Sequence, residues 1–328
     1  MSPLVTVVIP TANRPKYLPR AVESALAGLD AQDVEVIVVP NGPDETWREA
    51  MLSFKNSSSV RVVCSKEANA NIARNVGLEA ARGEYVRFLD DDDYLFSDGA
   101  LKQYELIEAS RADVVSGSIQ LVDESGREFD IWRQPNVDDL CVGVLGPWRR
   151  CIPVGHVYRR SSLEGIWWRP DTHVRQDVEW QFNLCADREM HWEKIDDVVG
   201  VWQHHWGQRV SSATEYGEIR KLTAHMLLEA YQTLVAAERM TDERRVAVIQ
   251  GLWGCVHAAF FLEPRYWSQI AHTINNIDST VRPVLGLYNF PVLRNVDPIT
   301  LLWIMLPKRW ASYHVRSLLK ILRLRHHW

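Results

Sequence analysis

The chain has 328 residues, 46% of them hydrophobic and 24% charged, which suits two folded domains and excludes a disordered, collagenous or highly charged protein. Its formal charge of −5 is unevenly spread: six basic residues (Lys308, Arg309, Arg316, Lys320, Arg323 and Arg325) follow Asp297, the last acid, leaving 31 basic against 42 acidic residues before them. An acidic body argues against general nucleic-acid binding, and the basic end suggests an anionic surface met by that end alone.

The sequence enters an apolar strand almost at once, without a basic n-region and h-region, so export by a secretory signal is not expected. Five cysteines (64, 141, 151, 185 and 255) are scattered with no C-x-x-C, which suggests neither a disulfide framework nor a zinc site and fits a reducing cytosol. No apolar run approaches the roughly 20 residues that span a bilayer; the strongest, Ile299 to Leu306, is far shorter.

In chain order, Val5 to Ile9, Val34 to Val39, Val60 to Cys64 and Tyr85 to Leu89 read as buried strands bounded by turn residues. Helical segments fall between them at about 15–27, 45–54 and 69–82, the last expected to close on Gly83 as a C-terminal cap. This alternation predicts a parallel α/β sheet. From about Asp130 to Trp206 it fades, and eight of the fourteen tryptophans fall there, read either as core or as platforms for sugar rings. A helical region is expected from residue 216, with long helices at 219–238 and 242–262 and Pro264, Pro283, Pro291, Pro298 and Pro307 as breakers.

The densest chemical signal is Asp90-Asp91-Asp92-Asp93, directly after an apolar strand, where open α/β sheets bind ligands. Carboxylates this close repel one another, and a hard cation such as Mg²⁺ or Mn²⁺, shared with a phosphate-bearing substrate, relieves that repulsion. A solvated acidic turn is the plain alternative. There is no G-x-G-x-x-G and no P-loop, which removes the main support for dehydrogenase or kinase-type NTPase readings.

Around the acids stand Val7-Val8-Ile9-Pro10-Thr11-Ala12-Asn13-Arg14-Pro15, Val38-Val39-Pro40-Asn41-Gly42, Ala73-Arg74-Asn75-x-Gly77 and Gly83-Glu84-Tyr85-x-x-Phe88-Leu89-Asp90. They are followed by Ala112-Asp113-Val114-Val115, Tyr158-Arg159-Arg160-Ser161, Gln176-Asp177-Val178-Glu179 and His204-His205-x-Gly207. In this order, over roughly residues 3–212, they resemble glycosyltransferase family 2, nucleotide-sugar-dependent inverting enzymes of GT-A fold. The resemblance implies a GT-A catalytic domain over 1–215, with a Rossmann-like, mostly parallel sheet, and a helical C-terminal domain over 216–328. It also implies a nucleotide diphosphate sugar as donor and a hydroxyl on a saccharide or lipid-linked saccharide as acceptor, in surface polysaccharide biosynthesis.

Residue by residue, it assigns Pro10, Thr11, Asn13, Arg14 and Asn41 to the nucleoside, Arg74 to base or phosphate, and Asp90 and Asp91 to ribose, sugar or metal-bound water. It makes Asp92 the metal ligand, with His204 or His205 near the diphosphate or metal; His205 is taken as the second ligand. Asp177 becomes the base that accepts the acceptor's proton, a job a carboxylate within hydrogen-bond reach can do. Two departures stand out: Pro40-Asn41 replaces an acidic pair, and Gln176 replaces a Glu. A sugar-phosphate nucleotidyltransferase is a rival, but Pro10 to Arg14 lacks the glycine-rich phosphate loop it would want. A catalytically inactive sugar-binding module is another.

In the tail, Ala311, Val315, Leu318 and Leu322 share one helical face, opposite Arg309, Arg316, Lys320 and Arg323. This is the pattern of a basic amphipathic helix at an anionic membrane, or of a terminal helix docked on its own domain.

Overall fold

The computed structural model describes residues 2–148, 152–204 and 215–325, with side chains as far as Val315. By contacts the chain divides into two units, Met1–Val144 with Trp148–Ala213 and Leu145–Pro147 with Thr214–Trp328.

The first unit is built on a nine-stranded sheet: β1 (Val5–Thr11), β2 (Val34–Pro40), β3 (Val60–Val62), β4 (Tyr85–Phe88), β5 (Tyr94–Leu95), β6 (Val114–Val122), β7 (Glu128–Trp132), β8 (His156–Arg159) and β9 (Trp192–Gln203). The order is β3-β2-β1-β4-β8-β6-β9-β5, with β7 added to β6. β1 pairs parallel with β2 and β4, β2 with β3, and β6 with β9, while β8, β7 and β5 run the other way. Every residue of β1 and β2 is buried, as expected for central strands covered on both faces.

The alternation along β1 assigns the two faces. Val5, Val7 and Ile9 join a core with Leu18, Ala21 and Val22 of α1 (Leu18–Leu26) and Ala100, Tyr104 and Ile107 of α4 (Ser97–Ser110). Val8 faces Gly77 of α3 (Ala70–Ala80), where a Cβ would lie 2.2 Å from a Val8 methyl. Gly77 thus lets the helix sit close on the strand. Asn69 caps α3, its side chain accepting from the backbone of Asn71 (2.9 Å) and Ile72 (3.2 Å), a cap that contributes about 1 kcal/mol.

Several expected boundaries move. Residues before Leu18 form a turn, and the 45–54 segment becomes α2 (Trp47–Ala50) followed by a 3-10 turn at Leu52–Phe54. α3 stops at Ala80, and Gly83 is no helix cap: it is needed because a Cβ there would lie 2.5 Å from the backbone nitrogen of Thr6. The irregular middle holds α5 (Leu140–Leu145) and α6 (Gln176–Asp187) between β7 and β9.

The second unit contains α7 (Tyr216–Ala236), α8 (Asp242–Ala259), α9 (Pro264–Asp278) and α10 (Pro298–Arg325). Pro264 and Pro298 open helices, the position where a missing N–H removes no bond. Pro307 does not break its helix, contrary to expectation. It is exposed, as is Trp303 one turn earlier, whose freed carbonyl water can satisfy. No helix among the described residues is long and apolar enough to cross a membrane.

Candidate active site

Strand order reverses direction of growth at β1, with β2 on one side and β4 on the other, so the loops after β1 and β4 diverge around a crevice. Those loops carry Thr11 to Arg14 and Asp90 to Asp93, and side chains join them. The Thr11 hydroxyl donates to Asp91 Oδ2 at 2.7 Å. Arg14 Nη1 donates to Asp91 Oδ1 at 3.1 Å and to Asp92 Oδ2 at 2.7 Å. Arg20 of α1 stacks on Tyr94 and donates to the Asp92 carbonyl at 2.9 Å, pinning the turn from below.

The four acids are sorted by this geometry. Asp91 is buried and turned toward β1, where burial pushes its carboxyl up to about 7 against the pull of Arg14, with Asp92 and Asp90 pushing the same way as burial. It holds the two loops together. Asp90, Asp92 and Asp93 instead bring one carboxylate oxygen each to within 4.8 Å of one another. Three hard oxygen donors at that spacing fit Mg²⁺ or Mn²⁺. Asp93 also accepts from the backbone N–H of Gln203 at 3.0 Å, tying the cluster to the end of β9, and Asp90 is the most open of the three, its side chain 34% exposed. Asp93 belongs to the acidic run, but nothing in the sequence singles it out as a ligand, because four identical carboxylates differ only in where the turn points them.

On the side expected to meet a nucleoside, Asn13 adopts a left-handed backbone (φ 57°), and its N–H donates to Asp44 Oδ2 at 2.7 Å. Asn and Asp tolerate this conformation better than other non-glycine residues. Asn41 donates through both its backbone N–H and its side-chain amide to the Thr11 carbonyl, each at 3.0 Å. Pro10 is buried within β1.

Arg74 is the bridge across the site. Its guanidinium donates to Asp90 at 2.7 Å and to Gln176 Oε1 at 3.0 Å, and it lies 4.5 Å from the Trp168 ring centroid. Because Asp90 already balances its charge, a neutral acceptor suffices at 176, which gives the Gln-for-Glu departure a physical reason. Trp168 stacks on Trp180 at 4.7 Å with the rings 5° apart, both buried, so these two tryptophans are core and not sugar platforms. Such a pair contributes about 0.5–1.5 kcal/mol beyond area burial. Trp148 and Trp167 are exposed.

Asp177 lies in the first turn of α6, just after Arg175, whose backbone is also left-handed (φ 62°). Burial pushes the Asp177 carboxyl upward; Arg175 and Arg74 oppose it and Asp90 adds to it. The segment leading to this helix is clamped by α3. Asn71 donates to the carbonyls of Arg169 (2.7 Å) and Thr172 (3.0 Å), and Asn75 both donates to and accepts from the Trp168 backbone at 2.8 Å. The clamping role of these asparagines was missed from sequence, although Asn75 stands in the quoted motif; three asparagines (69, 71 and 75) at the cap and in the body of one short helix were the available signal.

His204 donates its backbone N–H to Val122 at 2.7 Å and packs its ring on Trp202 and Phe129, at 4.3 and 5.1 Å. His205 lies outside the described residues, as does Trp206.

The sequence profile described as "Glycosyl transferase family 2" matches residues 6–216. The uncharacterized glycosyltransferase EpsJ of Bacillus subtilis is 33% identical over 252 residues, covering 72% of this chain and 70% of that protein. The poly(ribitol-phosphate) beta-glucosyltransferase of Bacillus spizizenii is 24% identical over 191 residues, covering 56% of this chain but only 29% of its own length. The crystal structure of S. aureus TarS 1-349 in complex with UDP-GlcNAc superimposes with a TM-score of 0.57 at 19% identity, covering 77% of this chain and 81% of that one.

Proposed function

The chain belongs to glycosyl transferase family 2, and from that premise we propose that it moves a sugar from a nucleotide diphosphate donor to a hydroxyl of a saccharide or lipid-linked saccharide by a single, inverting displacement. The observation that carries this reading is the junction at Asp90, where three convergent carboxylates and Arg74, bonded to Gln176, stand beside the first turn of α6 and its half-buried carboxylate, Asp177. The TarS complex with UDP-GlcNAc supports a nucleotide sugar as donor, and the poly(ribitol-phosphate) beta-glucosyltransferase of Bacillus spizizenii supports a polymer as acceptor.

In this reading the first unit carries the reaction. Thr11, Asn13 and Arg14 form the nucleoside and phosphate side, with Pro10 and Asn41 shaping the ends of β1 and β2. Asp92, with Asp90 and Asp93, would hold Mg²⁺ or Mn²⁺; His205 remains a proposed further ligand. When bound, the cation supplies charge stabilisation for the departing diphosphate. Arg14, released from Asp92, is free to turn toward phosphate, which its planar fork suits. Asp177 accepts the acceptor's O–H proton as that oxygen bonds to the anomeric carbon and the carbon–oxygen bond to the diphosphate breaks. A carboxyl raised by burial is a better base than an exposed one. Arg74 keeps Asp90 and Gln176 in register through this step.

A panel of nucleotide diphosphate sugars with Mn²⁺, followed by release of nucleoside diphosphate, tests the reading. We expect slow hydrolysis of at least one donor without acceptor. Asp177→Asn should leave donor binding intact and lower turnover by about two to four orders of magnitude, the usual scale of a general base. Binding without turnover for every donor would favour an inactive sugar-binding module, and pyrophosphate release from a nucleoside triphosphate and sugar phosphate would favour a nucleotidyltransferase.

A further inference from the structure

The C-terminal helix leaves much of its apolar face exposed. α10 is held at its start by Ile299, Leu301 and Leu302, which are buried. Further along, its packed side carries Arg309, over the Phe261 ring at 5.6 Å, and Tyr313, whose ring lies 4.9 Å from that of Phe261. Leu302, Arg309 and Tyr313 follow one another at i, i+7 and i+11, a single helical face.

The opposite face is largely open to solvent among the described residues, although the Trp303 ring meets that of Phe260 edge-on at 5.5 Å. Trp303, Ile304, Trp310 and Val315 are 45%, 68%, 54% and 56% exposed, and Ala311 is exposed with them. These residues recur at i, i+1, i+7, i+8 and i+12, one stripe about 18 Å long. A helix docked on its own domain would have buried Ala311 and Val315. Here Arg309, on the basic face in the sequence pattern, is half-buried against the protein, and the apolar stripe points outward.

We propose that this stripe is a docking surface for an anionic lipid bilayer, with its tryptophans at headgroup depth. Tryptophan, isoleucine and valine on one exposed face, with exposed Lys308 beside them, is the composition of a helix lying in a membrane interface. Charge selects the occupant. No acidic residue follows Asp297 and six basic ones do, so two copies of this helix face to face would repel, while anionic headgroups attract it. This assignment deepens the proposed transfer by placing it where a lipid-linked acceptor resides. Vesicle binding is read without donor or acceptor, so the two can fail separately.

The test is co-sedimentation of the 328-residue chain with vesicles of phosphatidylglycerol and phosphatidylcholine, against phosphatidylcholine alone, at low and high salt. We expect binding to the anionic vesicles that salt weakens. Ile304→Glu with Trp310→Glu should lower the bound-to-free ratio by about tenfold or more, since each large apolar side chain buried is worth about that factor. Both positions are exposed, so circular dichroism and melting should be unchanged. Sedimentation velocity without lipid should show the same species for both proteins. Absence of binding by the unaltered chain to anionic vesicles overturns the proposal, whatever the variant does. So does an oligomer that the double substitution abolishes, because the stripe would then be an interface between copies.

Discussion

Arg14 shows how one side chain can serve two states. Its Nη1 stands 2.7 Å from Asp92 and 3.1 Å from Asp91, and the charges of Asp92, Asp91 and Asp90 raise its pKa against the cost of burial. In the metal-free protein it therefore balances Asp91 and Asp92, as Arg74 balances Asp90. Arg14→Gln should raise Mn²⁺ affinity without nucleotide, by a few-fold to about tenfold for a partly exposed pair. With Mn²⁺ present the same change should weaken nucleoside diphosphate binding, as a phosphate contact is lost. Titration of free Mn²⁺ by electron paramagnetic resonance reads the first effect. A weaker metal site in Arg14→Gln would show instead that the arginine shapes the ligands. Thr11, Arg14 and the acidic run were visible in the sequence as an ordered set. The separate duties of Asp91 and Asp93 were not, because a carboxylate's role depends on which way the turn sends it.

At the scale of elements, a buried pair in the helical unit sets a pH dependence. His257 of α8 shares a hydrogen bond of 2.8 Å with the Tyr288 hydroxyl, and burial, with a smaller push from Arg309, lowers its pKa to about 4. An unfolded imidazole holds its proton below about 6.5. Between those values unfolding takes up a proton, so stability is full above about pH 6.5 and is lost as pH falls toward 4. Melting temperature measured from pH 7 to 4 should fall more steeply for the native chain than for His257→Gln; parallel curves would contradict the assignment. Strands β1, β2 and β4 and helix α3 were legible because apolar runs, turn residues and an asparagine cap agreed with one another. Gly83 and Pro307 misled for the same reason: local rules read them as a cap and a stop. Gly83 answers to the nearby backbone of Thr6, and Pro307 is tolerated on a face open to solvent. The start of β9 was hidden too, since Glu193, Lys194, Asp196 and Asp197 are polar and it is pairing of Trp192 to Lys194 with β6 that begins the strand there.

For the whole molecule, the sequence separated an acidic catalytic body from a basic helical end, and the fold shows how that body gathers distant residues. Thr11, Arg74, Asp90 to Asp93 and Gln176 meet through strand order and α3, a juxtaposition that no local window contains. Much of the candidate site was therefore legible as membership of a set and little of it as geometry. The proposed transfer needs a nucleoside diphosphate to be held through a divalent cation on Asp92 and its neighbours. Calorimetric titration of nucleoside diphosphates into the native chain and into Asp92→Ala, each with and without Mn²⁺, tests it most directly. At least one nucleotide should bind the native chain only when Mn²⁺ is present, and Asp92→Ala should remain folded but lose this binding. Nucleotide binding of equal strength without Mn²⁺, or retained in full by Asp92→Ala, would contradict it.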